Sequence, residues 1–154
     1  MTLLQGWTTA AGLRLHPTKT RVVNAAEPGG FDFLGYHFER GLRWPRPKSL
    51  GKLKQTLRAR TRRTNGQSLP VLMANLNRTL RGWFEYFQHS HYPTFAHLDG
   101  WVRMRLRSIL RKRCGRRGRG RGADHQRWPI AFFAAQGLFS LRAAHVAACQ
   151  SSRR

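Results

Sequence analysis

The side chains most able to do chemistry in this sequence are cations. Residues 40 to 63 hold ten Lys and Arg with no acid, and residues 103 to 121 hold ten more, again with no acid. A guanidinium presents a planar fork that meets two phosphate oxygens at once and stacks on bases. Tracts of this kind point to polyanion binding, driven by counterion release and steeply salt-dependent. An ordinary charged surface interleaves both signs. Membrane-surface binding would need a bulky apolar face left free beside the basic one, whereas Leu98, Val102 and Leu106 are needed for packing. Lys54, Arg58 and Arg62 recur four residues apart, as do Arg103, Arg107 and Arg111, so each set is expected along one helical face. With Arg81, Lys112 and Arg113 they are the candidate phosphate contacts.

Other chemistries find little support. Asp32, Asp99, Asp124, Glu27, Glu39 and Glu85 are scattered, whereas two-metal phosphoryl transfer needs clustered acids. No glycine-rich loop precedes Lys-Ser/Thr, and Gly118, Gly120 and Gly122 have linker spacing, so no catalytic residue is assigned. His89-x-His91 has no third ligand nearby, and a basic segment separates Cys114 from His125, so neither a metal nor a cofactor is expected. Trp83, Tyr86 and Phe87 could stack bases, but beside Leu76 and Leu80 on one helix a core role is preferred. Two cysteines exclude a disulfide framework, and no stretch nears 18 apolar residues. The expectation is a soluble chain in the reducing cytoplasm with no membrane partner.

These cations need a scaffold. The chain has 154 residues, a net charge of +23 and 40% hydrophobic content, enough to fold. The excess charge opposes compaction unless a polyanion neutralises it. Leu3, Leu4, Trp7, Ala10 and Ala11 predict a helix over 2 to 11, stopped by Gly12. Strands are expected at Thr20 to Val23 and Phe31 to Phe38, with a hairpin over 33 to 46 turning at Gly41. A helix capped by Ser49 should run to Asn65-Gly66, and a second carries Leu72, Leu76, Leu80, Trp83 and Phe87 on one stripe. A third carries Leu98, Val102, Leu106 and Ile109. The residues expected to hold the bundle are Leu76, Leu80, Gly82, Trp83, Phe87, Leu98, Trp101 and Leu106. Residues 115 to 122 should be a flexible basic linker, and the apolar run Trp128 to Leu141 should return to the core or meet a neighbour. The expected fold is mainly α: a small three-helix bundle preceded by a short helix and a β-hairpin. Its segments are 1–46, 47–114, a linker at 115–124 and a tail at 125–154.

Four blocks, in order, resemble the C-terminal part of group II intron-encoded reverse transcriptase/maturase proteins. Gly12-Leu-Arg-Leu-His-Pro-Thr-Lys-Thr-Arg21 with Phe31-Asp-Phe-Leu-Gly-Tyr-His-Phe38 is similar to the end of the palm and its primer-grip hairpin. Leu76-Asn-Arg-Thr-Leu-Arg-Gly-Trp-Phe-Glu-Tyr-Phe87 resembles the core of the maturase-specific domain, also called domain X or the thumb. Phe95, Leu98-Asp99, Trp101-Val102 and Arg105 to Arg113 resemble its following helix, and His125 to Leu141 the family's ending. The Tyr-x-Asp-Asp block of the polymerase is not among these residues. The resemblance implies an RNA-binding module that grips intron RNA and assists splicing, without polymerase activity of its own. A second implied reading is a reverse-transcriptase fragment completed by a chain supplying fingers and palm. A third is a remnant that binds any nucleic acid. A chain starting at Met1 just inside the palm is expected to be a truncated or separate reading frame of a mobile element.

Overall fold

The computed structural model describes residues 2–16, 20, 22–24, 26–118, 120 and 122–151. Helix α1 (Thr2–Ala10) ends at Gly12, whose φ of 71° lets the Leu13 N–H reach back to the Thr8 carbonyl at 2.8 Å. It leaves Leu3, Leu4 and Trp7 exposed. Of the strand expected at Thr20 to Val23, Arg21 lies outside the described residues, and Thr20, Val22 and Val23 are not in a strand. Their β-branched side chains favour extended backbone, but a strand needs a ladder partner and these three residues have none.

Three short antiparallel strands follow in spatial order: β1 (Phe31–Phe33), β2 (Tyr36–Glu39) and β3 (Leu42–Pro45). The aromatic run expected as one strand is two, because Leu34 and Gly35 both turn left-handed, with φ of 46° and 82°. Arg40 and Gly41 do the same at 48° and 73°, so both connections are two-residue turns matched to strand twist. Phe31 faces Phe38 across the ladder with ring centroids 5.2 Å apart.

Helix α2 (Pro47–Arg60) begins two residues before the expected cap, with Pro47 in its first turn, where a missing N–H costs nothing. Ser49 instead donates its hydroxyl to the Gly35 carbonyl at 3.2 Å, tying the helix to the first hairpin turn. The helix also stops early: Thr61 closes it by bonding the Leu57 carbonyl. Asn65 reaches back from outside to the Arg60 carbonyl at 2.8 Å. Asn65-Gly66 is therefore a turn beyond the helix end, and Arg62 is off the helical stripe.

Helices α3 (Leu69–Phe87) and α4 (Pro93–Arg113) match their expected stripes, burying Leu72, Leu76, Leu80 and Phe87 on one and Leu98, Val102, Leu106 and Ile109 on the other. Three more helices follow: α5 (Ala123–Arg127), α6 (Ile130–Ala135) and α7 (Leu141–Ser151). Mainly helical architecture holds, but the bundle is not three helices alone, because α7 lies along α4 and reaches α3. The sequence hid this helix because Leu141, Ala144 and Ala148 form a thin stripe of mostly small residues. The tail returns to the core, where Trp128, Phe133 and Leu141 join one cluster with the leucines of α2, α3 and α4.

Gly82, expected among the bundle-holding residues, lies on the exposed side of α3, and a Cβ built there would meet nothing within 4 Å. Gly82→Ala should therefore stabilise the protein by roughly 0.5 to 1 kcal/mol through helix propensity alone. Thermal melting checks this, and a lower Tm would show that the glycine is needed.

Candidate nucleic-acid interface

The basic side chains divide into an exposed set and a covered set. Arg58, Arg62, Arg81, Lys112 and Arg113 are exposed, together with Lys52, Arg63, Arg116 and Arg117. Lys54 is half-buried at the rim of a cavity walled by Trp44, Leu50, His97 and Leu98. Arg58 holds its guanidinium 5.7 Å from the Trp101 ring centre, and Arg81 lies 4.8 Å from that of Phe139. Such contacts fix a long side chain at low cost while leaving N–H groups outward. Arg113 donates to the carbonyls of Gln67 and Asn65.

The other basic stripe behaves differently. Arg103, Arg107 and Arg111 share a face of α4, as their spacing requires, but the returning tail covers that face. Arg107 is buried, donating Nε to the Trp128 carbonyl at 2.9 Å with its guanidinium 5.2 Å from the Phe133 ring centre. Burial, and then Arg103, push its pKa down, while Asp124 acts in the opposite sense. Arg107 thus serves the interior rather than the surface expected for it, because a spacing identifies a face and not what covers it. Arg111 donates Nε to the Arg117 carbonyl at 2.7 Å and Nη1 to Asp124 at 2.6 Å, and Arg103 is half-buried.

The segment expected as a linker carries part of this cover. Gly120 is buried against α4, donating its N–H to Ser108 Oγ at 3.3 Å, and a Cβ there would stand 2.6 Å from that of Arg107. Only glycine allows so close a pass.

Three polar residues to which the sequence assigned no site role position the surface. Arg105 donates Nε to Thr61 Oγ1 at 2.7 Å and Nη2 to the Thr61 carbonyl at 2.9 Å, locking α4 to the end of α2. Asn77 donates to the Gly137 carbonyl at 2.7 Å and accepts from the Phe139 N–H at 2.8 Å, clamping the approach to α7. Asp99 accepts from Ser140 Oγ and from the N–H groups of Leu141 and Arg142, so a carboxylate on α4 caps α7. The available signal was a lone amide inside a leucine stripe and a lone acid beside an apolar run.

Of the residues expected to hold the bundle, Leu76, Leu80, Phe87, Leu98 and Leu106 are buried. Trp83 and Trp101 pack partly buried against the core. Tyr86 is exposed but not free: its hydroxyl donates to the Leu34 carbonyl, and its own carbonyl accepts from the Tyr36 hydroxyl, both at 2.6 Å. Burial, the largest influence there, raises the Tyr36 phenol pKa. The His91 ring stands edge-on to Trp44 at 5.7 Å, and no group of three His, Cys, Asp or Glu suited to a metal occurs among the described residues. Also among the described residues, no helix is long and apolar enough to cross a membrane.

The frame around these cations, α2 through α5, coincides with a known domain. The sequence model of the group II intron maturase-specific domain matches residues 50–128, just over half of the chain. The chain belongs to the group II intron maturase family. No curated protein matches it. The match begins in the first turn of α2 and ends at Trp128, so the second basic tract lies wholly within the maturase domain, while Arg40, Arg43, Arg46 and Lys48 of the first precede it. A maturase-specific domain is not by itself a catalytic domain. In this maturase the acids do structural work: Asp99 caps α7, Asp124 binds Arg111, and Asp32 pairs with the His37 ring at 2.8 Å.

Proposed function

We propose that this maturase binds group II intron RNA through the cations of α2, the α2–α3 connection, α3 and α4, and assists splicing by holding the RNA in its reactive fold. One observation carries the reading: within a maturase-specific domain, a surface rich in Arg and Lys has almost no internal counter-ions. Apart from Arg111 with Asp124, the ion pairs among the described residues involve His37. Such a surface repels itself until phosphates neutralise it. The protein needs to break no bond, because a ligand that binds one RNA fold more tightly shifts the population toward it. Contacts come from Arg58, Arg62, Arg81, Lys112 and Arg113, with Lys54 and Arg103 at partly buried positions.

A specific observation favours a second reading. The apolar side chains of α1 are exposed, as are Phe33 and Leu34 beside an edge of β1 that no strand pairs among the described residues. An open edge of this kind accepts another strand. A chain supplying reverse-transcriptase fingers and palm would pair there and complete a polymerase.

The test is a filter-binding titration with the neighbouring intron RNA and an equal-length scrambled RNA at several salt concentrations. Contact with about six phosphates predicts a fall in affinity of roughly a thousandfold between 50 and 200 mM salt. The intron RNA should keep its advantage as salt rises, because groove shape and unpaired loops are recognised as well as charge. If both RNAs weaken together along one slope, the splicing role is lost and a nonspecific binder remains.

A further inference from the structure

The cations are not evenly spread, and one group is held together at close quarters. Arg58, on the last turns of α2, and Arg105, in the middle of α4, both place their guanidinium carbons over the Trp101 ring, at 5.7 and 5.6 Å from its centre. Arg105 is fixed by its two bonds to Thr61, and Arg63, exposed two residues further along the chain from Thr61, adds a like charge that acts on it. Among the described residues none of the three has an acidic partner. Burial first, and then the charges of Arg58 and Arg63, lower the Arg105 pKa, the direction expected when like charges crowd without relief. The fold therefore holds three like charges on two helices and a connection, with one aromatic ring supporting two of them. An arrangement that costs stability in the free protein is preorganised for an anion that arrives later.

We propose that Arg58, Arg63 and Arg105 form a defined seat for one phosphodiester group of bound RNA, with Trp101 as the positioning residue that holds two of the guanidiniums. The seat rests on the RNA-binding function proposed above and adds a fixed point to it. A fixed cluster of guanidiniums around one phosphate sets the register of the strand on the protein, whereas mobile exposed cations only raise its affinity. The Trp101 ring organises the arginines through its electron-rich face, so its removal should loosen the seat with every charge still present.

The experiment measures RNA affinity against salt for the whole chain as wild type, Arg58→Gln, Arg63→Gln, Trp101→Leu and, as a control for charge alone, Lys112→Gln. Each protein is also melted at low ionic strength without RNA. Arg58→Gln and Arg63→Gln should each weaken binding several-fold and flatten the salt dependence by about one unit of slope. Both should melt at or above the wild-type temperature, since a repulsion has been removed. Trp101→Leu should weaken binding more than Lys112→Gln does, although only Lys112→Gln removes a charge. If wild type binds RNA and both arginine variants bind equally well, the seat is wrong and the broader reading survives. If the arginine variants lose affinity only because they melt lower, the cluster is structural and the seat is again wrong. Wild type failing to bind RNA at low salt would remove both.

Discussion

Asp124→Ala should lower the unfolding free energy by about 3 kcal/mol, the low end of the usual cost of removing one partner of a buried ion pair, because the Arg111 side chain is 26% exposed. Asp124 is 1% exposed and bonds Arg111 Nη1 at 2.6 Å, and its charge also opposes the fall in the Arg107 pKa. Without it, the buried Arg107 guanidinium keeps its bond to the Trp128 carbonyl and loses its nearby negative charge. For a chain of this length the loss corresponds to a fall in Tm of roughly 10 °C. Arg107→Met is the informative companion. Replacing a buried cation by an apolar chain of similar volume removes charge and desolvation cost together, so it should destabilise less than Asp124→Ala. It should also leave the salt dependence of RNA binding unchanged, because Arg107 does not reach the surface. A Tm for Asp124→Ala within about 2 °C of wild type would show that the tail is anchored by apolar contacts alone.

Asp99→Ala should cost about 3 kcal/mol and act at the other end of the tail. Three donors converge on this carboxylate: Ser140 Oγ at 2.7 Å, Leu141 N–H at 3.0 Å and Arg142 N–H at 3.2 Å. Hydrogen bonds to a charged acceptor contribute roughly 1.5 to 3 kcal/mol each, and deletion leaves the buried Leu141 N–H unsatisfied while water can reach the other two donors. Ser140 also accepts the Ala143 N–H, so its orientation and the first turn of α7 depend on Asp99 together. Asp99→Asn keeps one acceptor oxygen and should lose less. Hydrogen exchange separates this from a general loss: α7 amides should exchange faster in Asp99→Ala while those of α3 hold their order of protection. Uniform exchange across both helices would show that α7 does not open separately from the body of the bundle.

Much of the frame was legible because periodic patterns act locally. The leucine stripes of α3 and α4 announce two long helices, and burial confirms the face each presents. Gly12 and Gly41 mark turns because their backbones need the left-handed region. Leu34 shows the limit, since a bulky residue in that region carries no turn signal and the run around it read as one strand. Ser49 and Asn65 show another: both are good capping types, but one bonds a neighbouring turn and the other caps the helix from five residues beyond its end.

What the sequence determined by itself was the chemical character of the protein: an Arg-rich polycation, mainly helical, with motifs that place it among group II intron maturases. These follow from composition and short-range spacing, which tertiary contacts do not alter. Only the tertiary structure decided which cations are free. Arg58 and Arg107 share a residue type and a helical setting, yet one stands in solvent and the other beneath Trp128 and Phe133. The difference is made by a tail some 20 residues further along the chain. A residue's own neighbours fix its direction from the helix axis, but its solvation depends on whatever distant segment comes to lie there.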